Sequence, residues 1–231
     1  MHQVLLLHGF TSHPRKVWGP LPAELERAGF EVHAPALRGH GTKPEDLIGI
    51  RAEDWLDDVR RAAVALEPGY AIIGLSMGSL LAAYLSASDS PAALVALVPA
   101  LGFQNPLAPL APYLSRIIKK LPGTDSVSDP ELRRQNPNYP YFPTSAFVEL
   151  LKLSRQAPDW LPAIKNPALV VRADQDKVIP TNAVKRYFTL LGSRQKEVWT
   201  APDSGHDLLL DRNATAVARK IIAWLEEQVR G

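Results

Sequence analysis

The 231-residue chain has no cysteine, and that single absence removes disulfide scaffolds, thiolate metal sites and a cysteine nucleophile together. It also fits a reducing, cytoplasmic compartment. Long apolar runs are missing too. The richest, Ala92 to Leu101, is broken by Pro99 and falls short of the roughly 18 residues a membrane-crossing helix needs, so a soluble protein is expected. The start, Met-His-Gln-Val-Leu-Leu-Leu-His-Gly, has no basic segment and only four apolar residues before a polar one, which argues against a signal peptide. Neither charge sign dominates: 26 Lys and Arg stand against 24 Asp and Glu, a net of +2, which speaks against a nucleic-acid or anionic-membrane surface. Two rival chemistries lack their motifs. Gly39-His-Gly41 runs into Thr-Lys-Pro instead of a helix, with no Gly-x-Gly-x-x-Gly after a strand, and no histidine pair has helical i, i+4 spacing with a carboxylate partner. Neither cofactor nor metal is expected.

What is present is an ordinary globular composition, 46% hydrophobic and 22% charged, in a chain longer than one typical domain and shorter than two. Four short apolar runs without polar alternation, Val4 to Leu7, Ala71 to Leu75, Leu94 to Val98 and Ala168 to Val171, read as strands buried on both faces of a parallel sheet. Weaker strand candidates are Glu31 to Ala36 and Glu197 to Thr200. Helical patterns lie between them. Leu21 to Ala28 stops at Gly29; Trp55, Leu56, Val59, Ala62, Ala63 and Leu66 form one stripe; and a last helix capped by Asn213 carries Val217, Ile221, Trp224 and Leu225. The βαβα alternation predicts an α/β fold with a mostly parallel central sheet of about six strands, flanked by helices.

Proline breaks this rhythm. Twelve of the 21 prolines lie from Pro99 to Pro167, so regular sheet is not expected there, and short helices joined by rigid turns are. The chain is therefore divided into a first core part, 1–102, a small helical cap, 103–164, and a second core part, 165–231. Within the cap, Leu107, Leu110, Leu114, Ile117 and Leu121 recur at helical spacing, and Phe147, Leu150 and Leu151 follow a candidate cap residue, Thr144. Both stripes are expected mainly as packing surface.

Gly74-Leu-Ser76-Met-Gly78 stands between an apolar strand and an apolar helix. That context fits a strand-to-helix turn that lifts the Ser76 hydroxyl above the sheet edge, where side chains at 74 or 78 would collide with their surroundings. A serine hydroxyl needs a base. Of six histidines only His206 lies late, in Asp203-Ser204-Gly205-His206 after the last strand candidate, where the Ser, acid, His chain order puts it. His8 and His40 sit in earlier loops and are expected to organise them by hydrogen bonding. Asp174 and Asp176 both follow the strand beyond the cap; Asp176 is favoured because Val178-Ile179-Pro180 can fix its loop. Met77, directly after Ser76, and Phe10, after Gly9 in the first loop, are the expected oxyanion donors through their backbone N–H groups.

These residues resemble the α/β-hydrolase superfamily, and within it the small bacterial carboxylesterases related to monoacylglycerol lipases. The likeness rests on Leu7-His-Gly-Phe-Thr11, Ala34-Pro-Ala-Leu-Arg-Gly-His-Gly41 followed by Pro44-Glu-Asp-Leu47, Asp54-Trp55 with Asp58-Val59, Gly74-Leu-Ser-Met-Gly78, Asp176-Lys-Val-Ile-Pro180 and Ser204-Gly-His206. It implies Ser76 as nucleophile, Asp176 as acid, His206 as base, and Phe10 and Met77 as oxyanion donors. From Gly102 to Ile164 no motif matches. The expected activity is hydrolysis of short- to medium-chain carboxylic esters by a monomer or homodimer with a small-molecule ester substrate. Monoacylglycerol, lysophospholipid or thioester hydrolysis, or ligand binding with vestigial turnover, are the alternatives.

Overall fold

The computed structural model describes residues 2–124 and 126–229. Its elements run β1 (His2–Leu7), α1 (Leu21–Arg27), β2 (Phe30–His33), α2 (Ala52–Val64), β3 (Ala71–Leu75), α3 (Met77–Ser88), β4 (Ala93–Leu97), α4 (Ala111–Leu114), β5 (Lys120–Pro122), α5 (Pro130–Arg133), β6 (Tyr141–Pro143), α6 (Thr144–Trp160), β7 (Ala168–Ala173), α7 (Thr181–Leu190), β8 (Lys196–Ala201) and α8 (Ala214–Val229). Six strands form one sheet in the order β2-β1-β3-β4-β7-β8, every neighbouring pair parallel. The four apolar runs supply its middle, and each needs burial on both faces because helices cover both. Side chains alternate accordingly: Leu5, Leu7, Ile72 and Val170 join α2, α3 and α7 on one face, while Val4, Leu6, Ile73 and Val171 join α1 and α8 on the other.

Helix ends obey their local signals. α1 stops before Gly29, whose φ of 86° is left-handed, and α2 starts with Asp54 accepting from the Arg51 N–H at 2.9 Å. Strand β2, at the sheet edge beside β1, ends at His33, short of Ala36. Asn213 directly precedes α8; its carbonyl accepts from Val217 N–H and its side-chain amide donates to the Pro202 carbonyl.

The stretch between β4 and β7 departs from expectation in three ways. It is not purely helical, because β5 and β6 pair antiparallel, Lys120 with Pro143 and Leu121 with Phe142. Prolines fit this ladder because a two-stranded ribbon leaves half its donors facing outward. Second, the stripe from Leu107 is not one continuous packing surface: Pro106, Pro109 and Pro112 fragment it into one 3₁₀ turn and the single turn of α4, leaving Leu107, Leu110 and Ile117 exposed, while Leu121 lies in β5 and packs against the core. Third, Thr144 is the first residue of α6 rather than its cap, with its hydroxyl buried and unpartnered among the described residues. By contrast α6 docks firmly: Ala146, Leu150, Leu153 and Ala157 enter the same core cluster as α2 and α3.

Candidate active site

Ser76 occupies the corner between β3 and α3 with φ 54° and ψ −111°, a left-handed conformation that an L-residue adopts only where its surroundings impose it. Those surroundings are tight. A Cβ on Gly74 would meet the Gly78 carbonyl oxygen at 2.3 Å, and one on Gly78 would meet the Leu7 carbonyl oxygen at 1.8 Å, so both positions admit only glycine. The Ser76 N–H donates to the Leu97 carbonyl at 2.8 Å, and the Ser76 carbonyl accepts from Ser79 and Ala100. Ser79 is a buried helix residue whose hydroxyl lies 2.7 Å from the Gly74 carbonyl.

His206 reaches this corner from the loop after β8. Its Nε2 lies 2.9 Å from Ser76 Oγ, and its Nδ1 lies 2.9 Å from Asp176 Oδ2. Asp176 is held in turn: its Oδ1 accepts the N–H groups of Val178 at 2.7 Å and Ile179 at 2.9 Å. Of the two carboxylates, Asp176 is the one against His206, and Asp174 points elsewhere. Its carboxylate accepts from Asp203 and Ser204 N–H at 3.0 and 3.1 Å and so braces the loop that carries His206. Burial pulls the His206 imidazole below its ordinary range, but the Asp176 carboxylate, helped by Asp207, outweighs it and leaves the base raised. Burial likewise opposes charge on Asp176, and His206 with the two backbone donors more than offsets it, leaving the acid lowered.

Phe10 and Met77 border the same corner. Met77 is the buried first residue of α3, and Phe10 lines the cavity beside Ser76. Gly9 keeps the first loop close, since a Cβ there would come within 3.4 Å of Ser76 Cβ. His8 and His40 lie apart from the Ser76–His206 contact. The fully buried His8 accepts the Leu37 N–H on Nε2 at 3.1 Å, which puts its proton on Nδ1, 2.9 Å from the Gly9 carbonyl. Burial pushes His8 down to about 4, so it is a neutral strut between two loops. His40 packs 4.7 Å from His8 between ring centroids, with Nδ1 near the Arg38 carbonyl.

The cavity above Ser76 encloses about 270 Å³. One wall is aromatic: Phe10, Phe103, Phe142 and Phe147, with Phe103 and Phe147 5.1 Å apart and Phe10 and Phe142 5.2 Å apart. The other is polar and includes Ser126, Asn138 and Asp207. Sequence reasoning missed Asp207 and Asp211, both buried. Asp211 Oδ2 accepts from Gly205 N–H at 2.8 Å and Ser128 N–H at 2.7 Å, tying the His206 loop to the stretch between β4 and β7. A carboxylate one and five residues past a candidate base was the available signal. Among the described residues, no group of three or more His, Asp or Glu is placed to share a metal ion, and no helix is long and apolar enough to cross a membrane.

The family model described as serine aminopeptidase, S33, matches residues 1–213. The chain belongs to this family. It is 31% identical over 231 residues to the thermostable monoacylglycerol lipase of Bacillus sp. (strain H-257), covering 96% of this chain and 89% of that protein. It is 28% identical over 230 residues to a carboxylesterase of Bacillus subtilis (strain 168), covering 97% and 92%. A solved structure from LipS and LipT, two metagenome-derived lipolytic enzymes, superposes with a TM-score of 0.89 at 26% identity over 97% of this chain and 93% of that one. The family member described here is thus an α/β-hydrolase of the esterase and monoacylglycerol lipase type, an enzyme of carboxylic ester hydrolysis.

Proposed function

We propose that the protein is a serine carboxylesterase that hydrolyses short- to medium-chain carboxylic esters with Ser76 as nucleophile, His206 as base and Asp176 as acid. The observation that carries this reading is the unbroken pair of 2.9 Å contacts from Asp176 through the His206 imidazole to Ser76 Oγ. As Oγ attacks the ester carbonyl, its proton passes to His206 Nε2 and the carbonyl electrons move onto oxygen. Backbone N–H groups of Met77 and Phe10 receive that oxyanion. Met77 suits this because the first N–H groups of a helix have no intrahelical acceptor. Collapse breaks the bond to the alcohol, which leaves with the His206 proton. Water then gives a proton to His206 and attacks the acyl-serine, the acyl–Oγ bond breaks, and Ser76 Oγ takes that proton back from His206 as the carboxylic acid leaves. Asp176 keeps the imidazole in the tautomer with Nδ1–H throughout. The enclosed aromatic wall favours short to medium acyl chains.

Activity on p-nitrophenyl esters from acetyl to palmitoyl, run beside Ser76→Ala, tests the reading. Turnover peaking at short to medium chains and lost in Ser76→Ala is expected. Tight ligand binding without turnover at any length would instead indicate a receptor, and a rate rising steadily to long emulsified lipids would overturn the chain-length preference. A second reading with the same residues, monoacylglycerol hydrolysis, is favoured by the polar wall. We further propose a soluble, cytoplasmic monomer or homodimer that engages neither nucleic acid nor membrane stably.

A further inference from the structure

Asp207 follows His206 directly, is 2% exposed, and lines the cavity. One of its oxygens is crowded. Oδ2 accepts from the Ser126 hydroxyl, from Asn138 Nδ2 at 2.7 Å and from Asn136 Nδ2 at 3.2 Å, while the Asp207 N–H donates to the Ser126 carbonyl at 2.8 Å. All three side-chain donors are neutral, and Oδ1 has no partner among the described residues. Three donors occupy Oδ2, so Oδ1 is the oxygen through which this carboxylate can accept a hydrogen bond from a molecule held in the cavity that Asp207 lines. Among the described residues no cation fills it: Lys177, the one Lys or Arg among those lining the cavity, is exposed beside Val178.

The place of this oxygen decides what it meets. His206 must return a proton to the departing alcohol oxygen, so the alcohol half of the ester lies along the wall that His206 shares with Asp207, and the acyl half against the phenylalanines. We infer that Asp207 is a specificity-determining residue for the alcohol half of the ester. Its free oxygen selects alcohols that carry a hydroxyl donor or a positive charge and excludes those that carry a negative charge. This rests on the esterase reading above.

The test uses the purified full chain and four butyrate esters with alcohol parts of similar size: 1-propyl, glycerol, choline and the anion glycolate. Release of butyrate is titrated on the plateau of the pH–rate profile, so that any change in His206 basicity acts on all four alike. Relative to the propyl ester, wild type is expected to disfavour the glycolate ester by about tenfold or more and to favour the glycerol and choline esters. Asp207→Asn removes the charge, raising the glycolate-to-propyl ratio about tenfold and lowering the choline-to-propyl ratio. Ratios unchanged within twofold, with all four rates moving together, would overturn the inference and leave Asp207 a brace for the His206 loop. Should Asp207→Asn fail to fold, the wild-type ratios decide, and equal rates on the glycolate and propyl esters overturn it. Turnover of none of the four would instead refute the esterase reading itself.

Discussion

Strand β3 and the segment from Leu107 to Ile118 are both rich in apolar residues, yet the apolar side chains of β3 are at most 1% exposed while Leu107, Tyr113 and Ile117 are 57%, 74% and 83% exposed. The difference is one of partners. β3 lies inside the sheet between β1 and β4 with helices over both faces, so each side chain meets an opposing layer. The Leu107 segment is cut by Pro106, Pro109 and Pro112 into turns too short to present a continuous face. Apolar spacing therefore signals burial only where the backbone can hold one face toward a second surface. The chemical groups follow the same division: Ser76, Asp176 and His206 stand just past the carboxyl ends of β3, β7 and β8.

The sharpest break between the two regions comes from the sheet edge. Ser76→Ala is expected to lower kcat by about 10⁶-fold, and Asp176→Asn by about 10⁴-fold through loss of the imidazole tautomer. Asp174→Asn, which touches only the His206 loop, should stay within about tenfold. Steady-state rates on one ester compare all three, and abolished turnover in Asp174→Asn alone would reverse the acid assignment.

Next in size, Ile73→Ala inside the sheet should cost about 2–5 kcal/mol in urea unfolding, because the rigid neighbours cannot close the cavity it leaves. Acid should act on the sheet-side struts at a comparable scale. His8 titrates about 4 when folded against an ordinary 6.5, so the unfolded chain binds the proton first. Stability is complete above about 6.5 and falls by about 3 kcal/mol as pH drops to 4. His206 runs the other way: its raised value adds stability below 6.5 that disappears as pH rises through the folded value, and the same value sets the acid limb of kcat/KM above 6.5. Urea midpoints and kcat/KM at several pH values check both, and a stability flat from pH 7 to 4 would refute the His8 account. The smallest effect is Ile117→Ala, expected within about 0.5 kcal/mol because that side chain meets little but solvent. A loss of several kcal/mol there would mean that the segment is buried in solution.

Much of the site was legible because its constraints are local. The Gly74 and Gly78 pair encodes a turn that only glycine fits, and a histidine after the last strand has few other employments at a sheet's carboxyl edge. The Asp174 and Asp176 alternatives illustrate the boundary. Both residues follow the same strand with the same chemistry, and the sequence favours Asp176 only through the Val178-Ile179-Pro180 after it, while the fold turns Asp176 toward His206 and Asp174 toward the N–H groups of Asp203 and Ser204.

The linear order of residues determined the βα rhythm, the strained corner at Ser76 and the type of each participating group, because backbone sterics and apolar periodicity act over a few neighbours. Only the tertiary structure decided that α6 belongs to the core while Leu107, Leu110 and Ile117 stay exposed, that β5 and β6 pair with each other between β4 and β7, and that Asp207 and Asp211 bind that stretch to the His206 loop. Those outcomes depend on contacts between residues far apart in the chain, 83 positions for Ser128 with Asp211 and 97 for Ala52 with Glu149, where hydrogen-bond partners are chosen by which surfaces meet and not by spacing along the chain.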